Sequence, residues 1–247
     1  MSRKPTRSRT IVEETAERIA FQIASGAYTP GERLPSVRSL AAEYGINPST
    51  VQIVLARLQS SGFVEARTGV GFLVRDIALV GGIETWRYMF RFAQRLPDRA
   101  IRLLEQTLAT RRLLIAKALE GLAAQPLDSS LSSLRRAVAR LELAFGSEEA
   151  DLLEAAWAEL HATRIALASG GQDVLLAIFN SIGEILIEIP EVLAATYGEP
   201  ESHLAFWRAL VADWENGTWT TESRTTLEAM VREFDAAAVD RFRKLIG

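Results

Sequence analysis

Three polar side chains lie close together at the start of a predicted helix in the first quarter of the chain. Ser49, Thr50 and Gln52 follow Pro48, a residue type favoured in the first turn of a helix. They lie on the side of that helix away from the apolar Val51. A Gln amide can form two hydrogen bonds with the edge of an adenine, whereas Ser and Thr more often bind phosphate. The pattern indicates a helix that could present side chains to a DNA groove.

Cationic and polar residues on the neighbouring segments could add contacts with a nucleic-acid backbone. The candidate set from the folded part is Arg38, Ser39, Pro48, Ser49, Thr50, Gln52, Arg57, Arg67, Thr68 and Gly69. The N-terminal tail adds Arg3, Lys4, Arg7 and Arg9. For Arg57 and the tail, the alternative is that these are ordinary solvated charges.

The elements that must position these residues can be read from the apolar spacing and the turn residues. Residues 11–25 have helical spacing, and a segment with two Gly and two Pro then ends that helix. Ser36 is a candidate N-cap of a second helix, and Gly45 lies where a left-handed residue would close it. A third helix begins after Asn47. Two short helices joined by a Gly-containing turn predict a helix-turn-helix.

Two strand-like runs follow the third helix. Residues 63–67 and 70–74 are rich in residues that favour strands and flank Thr68 and Gly69, which is typical of a short hairpin. Next to a helix-turn-helix, such a hairpin is a wing. We therefore expect a winged helix-turn-helix domain over residues 1–76, followed by a linker at residues 77–82.

The rest of the chain, residues 83–247, is expected to form an all-helical domain. Helical spacing dominates there, and Gly and Pro residues divide it into about seven helices with no convincing strand alternation. The predicted fold class is thus mainly α, with one small β-hairpin in the N-terminal domain and a C-terminal helical bundle.

Composition and charge narrow the possible functions. Residues 1–75 carry 10 Lys/Arg against 6 Asp/Glu, whereas residues 76–247 carry 18 against 25, so only the N-terminal part is suited to an anionic partner. There are no Cys residues and only two His residues, which excludes disulfides and thiolate chemistry and argues against a histidine-built metal centre. No apolar run is long enough for a membrane span or a secretory signal. We expect a cytoplasmic protein without a membrane partner.

Several blocks in the N-terminal part resemble the winged-helix domain of GntR-type bacterial transcription regulators. The blocks are GAYTPGERLPSVRSLA from Gly26, YGINPSTV from Tyr44, residues 58–62, and GVGFLV from Gly69. This resemblance implies a homodimer that inserts two recognition helices into a palindromic DNA operator. Family members commonly have Arg near the positions of Pro48 and Gln52, so the operator of this protein need not resemble theirs.

The helical part resembles the effector domain of the FadR branch of that family. Leu160 and His161, followed by ALASGG from Ala166, are similar to a sequence block of that branch in which Phe-His or Phe-Arg precedes Ala-Ser-Gly-Asn. Many relatives hold a metal there through an Asp four residues before the first His and two later His residues. Here Trp157 occupies the Asp position, His203 could match the second His, and the third position near Arg232 is not His. We therefore predict no metal and no cofactor, with both His residues making ordinary local hydrogen bonds.

A ligand would then need an apolar cavity with a few polar groups. The predicted inward register of the helix from Pro97 is Ile101, Leu104, Leu108, Arg111, Ile115, Ala118 and Leu122. Arg111 interrupts this apolar seam, and a buried cation needs a carboxylate or an anionic ligand. Asn180 lies in a helix, residues 173–187, that is apolar nearly all round and expected to be buried on both sides. Arg111, Asn180 and His161 are the effector candidates, and the alternative is that Arg111 and Asn180 are internal structural groups. Trp157, Trp207, Trp214 and Phe179 are expected in the core.

Two classes of function remain open from the sequence. One is a DNA-binding transcription regulator controlled by a small molecule, either a fatty acyl-CoA or fatty acid, or a metabolite carboxylate. The other is a helical acyl-binding protein whose N-terminal domain is only an interaction module. No acid-base pair or Ser/His/Asp grouping supports an enzyme.

Overall fold

The computed structural model describes residues 10–123, 129–146, 151–218 and 220–247, with the side chains of residues 122, 123 and 129–131 also left undescribed. It confirms the predicted fold class. Within those ranges, twelve helices accompany one two-stranded antiparallel sheet. By its internal contacts the chain divides into two compact units, residues 1–92 and 93–247.

The N-terminal unit contains five helices and the hairpin within its described residues. They are α1 (Ile11–Ala24), α2 (Val37–Tyr44), α3 (Pro48–Ser60), β1 (Val64–Arg67), β2 (Gly71–Val74), α4 (Ile77–Val80) and α5 (Ile83–Arg91). The helix-turn-helix and the wing are thus present where the sequence predicts them.

Local signals explain where the helices of the helix-turn-helix begin and end. The Ser36 hydroxyl accepts a hydrogen bond from the Ser39 backbone N–H at 3.1 Å and caps α2. Gly45 has a φ of 64°, the left-handed conformation that ends α2 at low steric cost. Asn47 occupies the N-cap position of α3, but its side chain makes no capping hydrogen bond. The turn therefore positions α3 through its backbone and through Pro48.

The core of this unit is formed by the apolar stripe of α3 and its neighbours. Val51, Val54, Leu55 and Leu58 are all at most 1% exposed, and α3 packs against α1, α2 and β1. In the hairpin, Val64 is paired with Val74 and Arg67 with Gly71. The Leu34 backbone N–H also donates to the Phe72 carbonyl at 2.9 Å, which ties the segment before α2 to the wing. Helix α3 and the wing are therefore held by one shared core.

The boundary between the units lies after Phe92 rather than after residue 82. Residues 77–82, predicted as a linker, include the one-turn helix α4, and α5 packs against α1. The ring of Phe92 meets that of Phe21 edge-on at 5.2 Å, and Tyr88 meets Phe63 at the same distance. Because Tyr88 and Phe92 bury their rings against α1 and the start of the hairpin, α5 belongs to the N-terminal unit.

The C-terminal unit contains seven helices within its described residues. They are α6 (Pro97–Ala123), α7 (Ser129–Phe145), α8 (Leu152–Ser169), α9 (Asp173–Glu188), α10 (Pro190–Tyr197), α11 (Pro200–Glu215) and α12 (Thr221–Ile246). Helix α12 packs against α6, α10 and α11, while α8 packs against α6, α7, α9 and α10.

Two expectations about this unit are wrong. Helix α9 is not buried on both sides, because Val174 is 74% exposed and Ile178 is 43% exposed. Trp157 is 44% exposed rather than part of the core, and the guanidinium of Arg164 lies over its ring at 5.8 Å. By contrast, Phe179, Trp207 and Trp214 are at most 4% exposed, as expected for core residues.

One glycine of the predicted linker is required by a close backbone approach. A Cβ added to Gly81 would lie 2.3 Å from the carbonyl oxygen of Ile77, whereas a Cβ at Gly82 would meet no atom within 4 Å. We expect Gly81→Ala to reduce the free energy of unfolding of the N-terminal unit by about 1–3 kcal/mol, the usual cost of overpacking. Gly82→Ala, the matched control, should change it by no more than about 0.5 kcal/mol. Urea unfolding of both variants tests this, and equal stabilities would contradict it.

Candidate DNA-binding surface and effector cavity

The first turns of α3 divide into a buried side and an exposed side. Val51 is 1% exposed, whereas Ser49 and Gln52 lie on the exposed side and Thr50 is half-buried. This places the predicted base-reading residues where a groove could reach them. Pro48, the first residue of α3, is also exposed.

An apolar residue on the same exposed surface was missed by the sequence reasoning. Ile53 is 58% exposed and directly follows Gln52. Its position off the buried stripe of α3 was the available signal, since Val51, Val54, Leu55 and Leu58 define that stripe. An exposed aliphatic side chain beside an amide suits contact with the methyl group of a thymine.

Arg38 is the most available cation beside α3. It is exposed on the first turn of α2, and no described residue forms an ion pair or a side-chain hydrogen bond with it. Ser39 differs, because its hydroxyl lies 2.8 Å from that of Ser36 and takes part in the cap of α2. Arg38 is therefore free for a phosphate, whereas Ser39 already has a local structural role.

The residues of the wing are exposed, and the ion pair that Arg67 forms there is weak. Arg67 binds Glu65 through two nitrogens, each at 2.7 Å, and its side chain is 61% exposed. An exposed ion pair of this kind contributes little stability, so Arg67 can exchange Glu65 for a phosphate. Thr68 and Gly69 form the exposed tip of the hairpin, and Gly69 has a φ of 76°.

Arg57 lies at the other end of α3 and has partners inside the unit. Its Nε donates to the Tyr88 hydroxyl at 3.2 Å, and a terminal nitrogen lies 3.6 Å from a Glu13 carboxylate oxygen. The hydrogen bond to Tyr88, together with the charge of Glu13, raises the pKa of Arg57 although burial opposes this. Arg57 thus joins α1, α3 and α5. The tail residues Arg3, Lys4, Arg7 and Arg9 lie outside the described residues.

The C-terminal unit encloses a narrow cavity between its helices, with a volume of about 30 Å³. Most of its lining is apolar, and the polar lining residues are Arg111, Glu159, Thr163 and Tyr197. Arg111, which interrupts the apolar seam of α6, thus lies at a cavity. That seam is buried at Leu104, Leu108, Arg111 and Ala118, while the side chain of Leu122 lies outside the described residues.

The other two effector candidates do not line this cavity. Asn180 is half-buried and accepts a hydrogen bond from Arg164 Nε at 2.6 Å, and it is not among the residues around the cavity. His161 is exposed, because the helical period turns it away from its buried neighbours Leu160 and Ala162. The expectation that these residues share a pocket with Arg111 is therefore corrected.

A carboxylate already neutralises the charge of Arg111. Asp235 of α12, which is 1% exposed, forms an ion pair with Arg111, and its second oxygen accepts from Arg112 at 2.7 Å. Burial disfavours the charged guanidinium, but the carboxylates of Asp235 and Glu159 nevertheless raise the pKa of Arg111. Of the alternatives open from the sequence, the protein carboxylate is the one found.

A second buried polar pair contains Glu159, which also lines the cavity. His203 is fully buried, and its Nε2 lies 2.9 Å from the Thr196 carbonyl oxygen, so this nitrogen must donate. Its Nδ1 lies 2.8 Å from Glu159 Oε1, which also accepts from Trp207 Nε1 at 3.0 Å. The rings of Tyr197 and Phe234 stack on the imidazole, with centroids at 5.1 and 4.7 Å.

The surroundings of Glu159 favour its ionised form. Burial opposes ionisation of Glu159, but its electrostatic interaction and hydrogen bond with His203 lower the pKa of Glu159 to about 2. Both ring nitrogens of His203 already have a partner, Glu159 at Nδ1 and the Thr196 carbonyl at Nε2, so neither is free to bind a metal. The prediction that its hydrogen bonds are local is wrong, because they reach α8 and α10.

The sequence reasoning missed Glu159 and Asp235. Glu159 could have been found, because positions 155, 159, 162 and 166 form one helical stripe in which the other three residues are Ala. Asp235 likewise follows the buried positions Val231 and Phe234 of α12. Within the described residues, no group of three His, Asp or Glu side chains could hold a metal ion.

Removing Asp235 should leave Arg111 as an unpaired buried cation. We expect Asp235→Ala to reduce the free energy of unfolding of the C-terminal unit by about 3–5 kcal/mol. The matched control is Asp240→Ala on the same helix, where the side chain is 66% exposed and pairs with Arg243 at 2.7 Å. That change should cost less than about 1 kcal/mol in chemical unfolding. Similar losses in the two variants would show that the buried pair does not stabilise the unit.

Acid should weaken the C-terminal unit through Glu159. Its pKa is lowered from 4.5 to about 2 on folding, so its stabilisation is complete above pH 4.5 and is lost as the pH falls towards 2. Between pH 5 and pH 3 the free energy of unfolding should decrease by about 2 kcal/mol more in the parent protein than in Glu159→Gln. Urea unfolding at the two pH values measures the difference. An identical pH dependence would contradict the assigned charge state.

Comparison with known proteins shows which family the N-terminal unit resembles. Residues 11–74 match the model of the gntR family of bacterial regulatory proteins. The HTH-type transcriptional regulator Mce2R of Mycobacterium tuberculosis is 38% identical over 92 residues, which are 37% of this chain and 38% of that protein. An uncharacterised HTH-type regulator of Bacillus subtilis, YhcF, is 32% identical over 71 residues, or 29% of this chain and 59% of that protein. The matches thus span less than two thirds of these curated relatives.

A solved structure also shares the fold over nearly the full length. This structure is described by the statement that Lar controls the expression of the agr system of Listeria monocytogenes. The match covers 97% of this chain and 100% of that chain. The TM-score is 0.55 at 15% identity, so this likeness concerns the fold alone. The named relatives are transcriptional regulators, in agreement with the prediction that the chain is not an enzyme. The family resemblance that these comparisons show is thus that of residues 11–74 to the gntR family of bacterial regulatory proteins.

Proposed function

We propose that this protein is a sequence-specific, DNA-binding transcription regulator whose helical unit responds to a small molecule. The observation that carries the proposal is the exposed first turn of α3, with Ser49 and Gln52 accessible beside the unpaired Arg38, in a GntR-family domain. In our proposal α3 enters the major groove. Gln52 and Ile53 contact bases, while Arg38, Arg67, Thr68 and Gly69 contact the backbone.

The DNA target in this proposal is a palindrome bound by a homodimer. A single α3 reaches only a few base pairs, and two copies related by a twofold axis read two half-sites one helical turn apart. We assign DNA binding to residues 1–76. We also propose a cytoplasmic location, as a regulator of bacterial genes requires. None of the described helices is both long and apolar enough to cross a membrane.

Control by a small molecule is assigned to the cavity of the C-terminal unit. The cavity is apolar with a few polar groups, which is the usual character of a ligand site. A ligand can change DNA affinity only through different affinities for two arrangements of the protein, and a tenfold effect needs about 1.4 kcal/mol. The expectation of an acyl-CoA, fatty acid or other carboxylate rests on the resemblance to the FadR branch without its metal pattern and on Arg111 as an anion-binding cation. The ion pair with Asp235 removes the second of these supports. The alternative of a purely acyl-binding protein has no feature in its favour beyond the same cavity.

The base-reading role of α3 can be tested on one helix with a matched pair of variants. A duplex selected from random sequences by the full-length protein serves as the probe. Gln52→Ala should weaken binding by about 1–3 kcal/mol and relax the preference at one base position of each half-site. Gln59→Ala changes the same residue type at the exposed C-terminal end of α3 and should have no effect. Equal effects of the two substitutions would remove Gln52 from the base-reading set.

The phosphate role of Arg38 has a different signature, which the same duplex can measure. Each phosphate contact contributes about −0.9 to the slope of log affinity against log salt concentration. Arg38→Ala should therefore make the slope shallower by about that amount per subunit without altering base preference. If neither variant changes and no duplex can be selected, the proposed function is wrong.

A further inference from the structure

A surface groove runs along the contact between α6 and α12, and it is distinct from the internal cavity. Its volume is about 400 Å³, which is within the usual range for a small-molecule site. Three residues of α6 and six of α12 line it, and on each helix they recur at the spacing of one helical face. The groove therefore has two continuous walls, one from each helix.

One end of the groove contains a half-buried arginine with unused donors. Arg112 is 33% exposed and donates through one terminal nitrogen to Asp235 at 2.7 Å. Asp235 also neutralises Arg111, so Arg112 shares this carboxylate with a second cation. Because a guanidinium group has five N–H donors, the exposed part of Arg112 can bind a further acceptor.

Arg232 is the second cation at this end of the groove. It is exposed and lies one turn before Asp235 on the same face of α12. No described residue forms an ion pair or a hydrogen bond with its side chain. Glu228, four residues earlier, lies instead 3.7 Å from Arg224. This end of the groove thus carries more positive than negative charge.

The rest of the groove has no such excess of positive charge. At the other end Arg243 pairs with Asp240 at 2.7 Å and lies 3.6 Å from Glu105, so two carboxylates oppose one cation and would repel an anion. Between the two ends the floor is apolar, because Leu108 is fully buried and Val239 is 8% exposed. The groove is therefore suited to a ligand with one anionic end and an uncharged body.

A phosphate monoester matches this arrangement better than a carboxylate does. It carries a charge of about −1.5 to −2 at neutral pH and three acceptor oxygens, so it can accept from Arg112 and Arg232 at the same time. The planar guanidinium fork is also well suited to bind phosphate through two parallel hydrogen bonds. A monocarboxylate offers one charge and two oxygens, and it leaves part of the positive charge uncompensated.

We propose that the groove between α6 and α12 is a binding site for a phosphate monoester with a short uncharged body. The phosphate binds Arg112 and Arg232, and the body lies on Leu108 and Val239. This site goes beyond the proposed function, in which control is assigned to the internal cavity, and its occupation does not depend on DNA binding.

Three probes separate the phosphate monoester from its parts. Propyl phosphate, inorganic phosphate and butanoate are titrated at pH 7 and constant ionic strength into the full-length protein without DNA, and the amide NMR shifts of α6 and α12 are followed. We expect propyl phosphate to bind at least tenfold more tightly than butanoate and at least threefold more tightly than inorganic phosphate. Equal binding of butanoate would overturn the phosphate assignment. Equal binding of inorganic phosphate would overturn the assignment of an ester.

Arg232 allows a test that should not disturb the fold, because it is exposed and outside the buried ion pair. Arg232→Gln should unfold at the same urea concentration as the parent and bind propyl phosphate at least tenfold more weakly. The matched control is Arg102→Gln, which removes the same charge from an exposed position of α6 outside the groove. That variant should bind like the parent. Unchanged binding by Arg232→Gln, or equal losses in both variants, would contradict the site.

Ala236 tests the charge of the groove without removing an arginine. It is exposed in the wall of the groove, four residues after Arg232, so Ala236→Glu would place a carboxylate within reach of that guanidinium. Ala236→Gln introduces a neutral side chain of the same size. We expect propyl phosphate to bind at least tenfold more weakly to Ala236→Glu than to Ala236→Gln, and equal affinities would overturn the proposal. Affinity for the selected duplex is measured separately, so a failure of DNA binding is distinguished from a failure of this site.

Discussion

The buried ion pair between Arg111 and Asp235 is the contact on which much of the C-terminal unit depends. It joins the middle of α6 to the middle of α12, two of the longest helices of the unit. Neither charge could be buried alone, because each would lose its hydration without compensation. The pair therefore requires α6 and α12 to pack in one register, in which Asp235 also reaches Arg112 at the surface. Hydrophobic packing alone would tolerate several registers, whereas paired charges do not.

The Glu159 and His203 pair extends the same constraint to other helices. Glu159 of α8 is bonded to His203 and Trp207 of α11, and His203 is bonded in turn to the last turn of α10. Five helices thus meet around a small set of paired polar groups. The cavity lies beside these groups, since Arg111 and Glu159 both line it. A Cβ at Gly183 of α9 would lie 2.5 Å from the side chain of Leu160, so α8 and α9 approach closely in the cavity wall.

The sequence predicted the N-terminal unit more accurately than the C-terminal cavity, and the reason is the range of the interactions. Ser36, Gly45 and Pro48 act within one turn of the backbone, so residue type and spacing are enough to place α2 and α3. Arg111 stands out in the sequence because it is a charged residue in the apolar seam of its own helix. Its partner Asp235 is separated from it by more than a hundred residues, and no local pattern links the two. For the same reason, Asn180 and His161 were grouped with Arg111, although contacts made in the folded unit place both elsewhere.

The two units differ in how they use polar residues. On α3 the polar side chains are exposed and largely unpaired, as a surface that exchanges water for DNA requires. At the cavity of the C-terminal unit the charged side chains are instead buried and paired, Arg111 with Asp235 and Glu159 with His203. Because Asp235 holds Arg111 at the cavity and Arg112 at the surface, a shift of α12 relative to α6 changes both contacts together. Packed charges of this kind have discrete alternatives rather than a continuous range, which is the property that a ligand-controlled switch needs.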